Sequence, residues 1–146
     1  MGIFKLALLA PVVLLTATSC AAPDEFGLTK TDDGIEIWVL DCGVSTIDSV
    51  TVHEARVVDR EAKSGDQVWR IQRSPDSRGA GRITLGTVPA GYRQETPFRP
   101  SQVANYVIDV WFAEGGKQQR VAEIDHLKSD RLVYDGGYHD KAQSNC

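Results

Sequence analysis

The stretch "NYVIDVWF", residues 105–112, decides how this chain is read. Its apolar residues recur with a period of two: Tyr106, Ile108, Val110 and Phe112 fall on one side and Asp109 on the other. Successive side chains of a strand point to opposite faces, so the pattern predicts a strand with one face on a core. The hairpin that follows is equally legible. Gly115-Gly116 is a turn signal, and "RVAEI", residues 120–124, supplies the return strand.

The same period runs outward through the chain. "IEIWVL" (35–40) sets Ile35, Ile37 and Val39 against Glu36, Trp38 and Leu40. "QVWRI" (67–71) sets Val68 against Trp69 and Ile71, "RITL" (82–85) alternates Ile83 and Leu85, and "RLVY" (131–134) makes a last short strand before Gly136-Gly137. One segment is ambiguous. "VTVHEARVVDREAK" (50–63) starts as a strand, but Ala55, Val58 and Ala62 also fit helical spacing. We expect two strand-like pieces around Val50 and Val57, entering the strand of Trp69 through a "KSGD" turn at 63–66. A helix over 54–62 is the alternative.

About seven short strands separated by Gly, Pro, Ser and Asp clusters predict an all-β fold, an antiparallel β-sandwich of Ig-like architecture, with a small barrel as runner-up. The immunoglobulin cysteine–tryptophan–cysteine spacing itself is absent, because Cys146 is the last residue. A domain over 31–146 is long enough to bury a core, for which Trp38, Trp69 and Trp111 are the expected large pieces.

Charge excludes one class of partner. The 16 Lys and Arg and 20 Asp and Glu give a formal net charge of -4, with both signs scattered and no basic cluster to neutralise phosphates. No nucleic-acid partner is expected. Metal chemistry fares no better: His53, His126 and His139 are far apart, and neither C-x-x-C nor H-E-x-x-H occurs. There is no G-x-S-x-G elbow. In "RGAGRITLG" (78–86) the glycines Gly79, Gly81 and Gly86 have the wrong spacing for a phosphate cradle and open no helix. Neither a cofactor nor catalysis is expected from these residues.

The candidate binding feature is a loop, "GTVPAGYRQETPFRPSQ", residues 86–102. Pro89, Pro97 and Pro100 stiffen it, so presenting Tyr92, Arg93, Phe98 and Arg99 to a partner costs little conformational entropy. Aromatic and Arg side chains on a preordered loop are what interfaces favour. The alternative is that Tyr92 and Phe98 fold back to cap the edge of the core.

The N-terminus carries an address. Residues 1–20 hold one charged side chain, Lys5, then an apolar run from Leu6 to Leu15 broken only by Pro11, then small residues. This is the layout of a signal peptide, and the run is too short for a spanning helix of about 20 residues. "TATSC", Thr16 to Cys20, resembles the lipobox of bacterial lipoproteins, with Ala17 standing where Leu, Val or Ile is more usual. The resemblance implies removal of residues 1–19, diacylglycerol on the Cys20 sulfur and anchoring at the outer face of the cytoplasmic membrane, or at the outer membrane of a cell that has one. Residues 20–30 then form the lipidated terminus and a flexible linker. Ordinary secretion without lipid is the alternative.

With Cys20 lipidated, the three cysteines leave Cys42 and Cys146 as an even pair in an oxidising compartment. A bridge closing a loop of about 100 residues stabilises by up to ~4.7 kcal/mol in the chain-entropy treatment. The expected function is that of a membrane-anchored extracytoplasmic lipoprotein, a binding or accessory module for a protein, peptide or envelope polymer. An envelope enzyme whose site is not visible in sequence is the competing class.

Overall fold

Residues 26–40, 46–100 and 105–141 are described by a computed structural model. In chain order the strands are β1 (Phe26–Thr31), β2 (Gly34–Val39), β3 (Ile47–Val58), β4 (Glu61–Arg73), β5 (Arg82–Thr84) and β6 (Tyr92–Thr96). Then come β7 (Asn105–Phe112), β8 (Lys117–Glu123), a 3-10 turn (Ile124–His126), β9 (Arg131–Tyr134) and β10 (Gly137–Asp140). All pairings are antiparallel, in two five-stranded sheets ordered β10-β9-β1-β2-β5 and β6-β4-β3-β7-β8. The two sheets pack as a sandwich and do not close into a barrel.

The opening pattern holds in three dimensions. Tyr106, Ile108, Val110 and Phe112 of β7 face the core with Ile47, Val50, Val52, Trp69 and Ile71, opposite Phe26, Leu28, Ile37 and Val39 of the first sheet. Burying a side chain of this size contributes roughly 1.5–3 kcal/mol, so the alternation is what selects the strand register. Among the tryptophans only Trp69 belongs to the central core cluster. Trp38 shares the outer face of its sheet with Glu36 and lies under the Arg82 guanidinium, 3.6 Å from the ring centre. Trp111 is half-buried with the Lys117 ammonium 4.9 Å away.

Four expectations are corrected. Phe26 to Lys30, assigned to the linker, belongs to β1: Phe26 and Leu28 are fully buried and six residues pair with β2. Residues 50–58 are neither two pieces nor a helix. They form one strand that pairs with β7 as far as Glu54 and with β4 to its end. The chain reverses at Asp59 and Arg60, whose φ of 53° and 68° make the two-residue hairpin turn that follows strand twist. "KSGD" lies inside β4, where a bulge absorbs the irregularity. Finally, β6 runs through the Pro-rich loop and β10 follows Asp135-Gly136, which raises the count from about seven strands to ten among the described residues.

Residues 1–25, Cys42 and Cys146 lie outside the described residues, and with them the signal peptide, the lipid-bearing Cys20 and the disulfide.

Candidate functional site

One end of the sandwich holds an apolar cavity of about 230 Å³. Its floor is core: Ile35 is the second residue of β2 and Leu85 follows β5. Tyr106, near the start of β7, closes one side, and Ile124 of the 3-10 turn with Leu127 just after it closes another. The remaining wall is Phe98 and Pro100, from the Pro-rich segment after β6. Lys30, near the end of β1, and Asp33, in the β1–β2 turn, supply the charged groups at the rim. Beyond Lys30 and Leu127, which both spaces share, lies a polar cleft with Thr31, Lys128, Ser129 and Asp130.

Phe98 is held, not loose. Its ring meets Trp69 edge-on, 6.2 Å between centroids at 76°, a favoured aromatic geometry. With the Gln94 amide oxygen turned inward, that oxygen accepts from Trp69 Nε1 at 3.1 Å and from the Phe98 amide at 3.3 Å. The next amide, Arg99 N–H, donates to the Val68 carbonyl at 2.9 Å. On the opposite side Gly86, at φ +83°, makes room: a Cβ there would stand 2.8 Å from Phe98 Cδ1.

The four loop residues therefore part company. Tyr92 is buried, 8% exposed, and its hydroxyl donates to the Ile47 carbonyl while accepting from the Ala80 amide. It staples β6 to β3 and to the crossover between the sheets. Burial raises the hydroxyl pKa above its usual 10.0, against the lowering effects of the Ala80 bond and the Arg73 charge. Arg93 points outward on β6 and pairs with Glu95 at 3.1 Å. Arg99 is exposed, next to Phe98 and Pro100. Of the quartet, only Phe98 lines the cavity, and Tyr92 takes the other course open to it, folded back against the edge of the core.

Sequence reading missed Ile35, Leu85, Ile124 and Leu127 as wall residues. The one local signal was the i, i+3 spacing of Ile124 and Leu127, which fits the short turn closed by Leu127 N–H to Ile124 O at 3.3 Å.

A second polar group lies on the outer face of the other sheet. Asp109 is only 4% exposed there, with Gln119 Nε2 at 2.7 Å, Lys117 Nζ at 3.0 Å and His53 Nε2 at 3.8 Å. His53 Nδ1 stands 3.2 Å from the Gly65 carbonyl. Charge pairing and hydrogen bonding are what let a carboxylate sit so deep. Among the described residues no serine, threonine or cysteine is hydrogen-bonded to a histidine, and no three metal-ligating side chains converge.

Among the described residues, fold and cavity together make an antiparallel sandwich of two five-stranded sheets with an apolar socket at one end. No family model, curated protein or solved structure matches the chain.

Proposed function

We propose that the chain is a lipid-anchored extracytoplasmic binding module whose socket takes one apolar side chain of a partner protein or peptide. The observation that carries the reading is the cavity walled by Phe98 and Pro100. At about 230 Å³ it is smaller than the 300–1,000 Å³ typical of small-molecule pockets and suits a single anchor residue. Its wall is preordered by prolines, Gln94 and Gly86, so little ordering entropy opposes binding.

Anchoring rests on the lipobox-like "TATSC" and on the leftover cysteine. The position of β1 adds a direction. Phe26 pairs with Val39 at the end opposite the Lys30–Gly34 rim, so the socket opens at the far end of β1 from the anchored terminus. The route from Cys20 to Phe26 spans no more than roughly 20 Å fully extended.

Selection from a displayed random-peptide library tests the socket. Recovered peptides are expected to share one large apolar residue, and Ile124→Trp, which fills the cavity from the half-buried 3-10 turn, should weaken them at least about tenfold. Peptides that bind Ile124→Trp and Phe98→Ala as well as wild type would exclude the socket as the site.

A further inference from the structure

The β3–β4 hairpin outgrows its sheet. The β3–β7 ladder ends at Glu54–Tyr106, and on the other edge β4 pairs with β6 only over Arg70–Arg73, with one further backbone bond from Arg99 N to Val68 O. From Ala55 to Gln67 the hairpin therefore continues as a two-stranded arm, with both edges free of strand partners among the described residues. Two-stranded ribbons are marginal in water, and a free edge presents unpaired N–H and C=O groups that only another extended strand satisfies in register.

The arm's side chains say which strand. Opposite residues share a face, and the pairs are Arg56–Lys63, Val57–Ala62 and Val58–Glu61. Arg56 and Lys63 are thus like charges set directly across the ladder, an unfavourable arrangement. Arg56 escapes by pairing with Asp66 at 3.0 Å, whereas Lys63 and Glu61 have no ion-pair partner among the described residues. On the opposite face Val57 is 72% exposed.

We propose that the β4 edge of the arm pairs antiparallel with the same edge of a second copy, centred on Ala62. A two-fold axis perpendicular to the ribbon places Glu61 of each chain opposite Lys63 of the other and Ala62 opposite Ala62. The lone Lys63 gains a carboxylate, and the row Val57–Ala62–Ala62–Val57 becomes one continuous apolar strip. The β3 edge is less suited, because its self-pairing about Val57 brings the two Arg56 side chains together diagonally. Antiparallel overlap sends the two sandwiches in opposite directions, so the bodies do not collide. A contact this short lies at the small end of interface sizes, and the dimer is concentration-dependent.

Cysteine scanning in the full-length chain tests it. Opposed Cα atoms at the dyad are about 4.5–5.5 Å apart, within disulfide range, so mild oxidation of Ala62→Cys should give a covalent dimer on a non-reducing gel. Val57→Cys, about 14 Å from its symmetry mate across three strand spacings, should give no more than wild type. Lys63→Glu should reduce the Ala62→Cys dimer at least about tenfold, and the charge swap Glu61→Lys with Lys63→Glu should restore it, which separates lost pairing from lost folding. Cross-linking of Ala62→Cys no greater than that of Val57→Cys, a dimer that survives Lys63→Glu, or a swap that fails to restore it would overturn the proposal.

Discussion

Tyr92 shows how one hydroxyl can matter more to the fold than to its surface. Its O–H joins the buried Ile47 carbonyl and the part-buried Ala80 amide, so Tyr92→Phe leaves both groups without that partner. The expected cost is about 1–3 kcal/mol, read as a lower urea midpoint with an unchanged slope. Ionisation gives a second readout. The hydroxyl pKa is raised in the fold, so the unfolded chain loses this proton first as pH climbs past ~10. The stabilisation is fully present below pH ~10 and is lost as pH rises through the folded value. Wild type should therefore lose stability above pH ~10 more steeply than Tyr92→Phe, and equal slopes would remove Tyr92 from the account. The sequence left Tyr92 open to either an exposed loop or a fold-back onto the core, because neighbouring prolines and charged residues hid a strand of only five residues.

At the scale of elements, legibility followed the strength of the local period. β2, β7 and the β7–β8 hairpin were readable because alternating apolar residues and a glycine turn act within a few positions. β3 and β4 were readable only in part: strand was expected around Val50, Val57 and Trp69, but Ala55, Val58 and Ala62 suit two periods at once, and the ladder, not the side chains, settles how far each strand runs. β10 hid behind Asp135-Gly136, a dipeptide that itself favours a two-residue hairpin turn, with φ of 50° and 66°. The segment after β6 carries an element-scale prediction. Gly86→Ala forces a side chain into a left-handed conformation and against the Phe98 ring. The strain costs of order 1–2 kcal/mol, and socket-directed peptides should bind more weakly at a temperature where the variant is still folded. Unchanged affinity would show that the seat of Phe98 does not shape the socket.

For the molecule as a whole, the lipoprotein proposal is decided by mass. Intact mass of the membrane-extracted protein should match a chain beginning at an acylated Cys20, lowered by about 2 Da that reduction restores, as a Cys42–Cys146 bridge requires. An N-terminus beyond Cys20 without lipid would end the anchoring model, and a mass unmoved by reduction would end the bridge. The linker is also shorter than sequence reading held, because β1 claims Phe26 onward. On that proposal the near end of the sandwich would lie close to the lipid surface; the socket and the β3–β4 arm share the far end, the arm beginning beyond Glu54 where it pairs with Tyr106 of the cavity wall.

By itself the sequence determined an all-β chain, several of its strands and most of their inward faces, because strand periodicity and turn chemistry are local properties of neighbouring residues. It also carried the whole of the export and lipidation argument. The tertiary structure alone decided that Phe98 shares a cavity with Ile35, Leu85, Tyr106 and Leu127, that Tyr92 is a staple, and that the β3–β4 hairpin projects as an arm. Those outcomes depend on which strands pair and where each ladder stops, and that is set by packing between residues far apart in the chain.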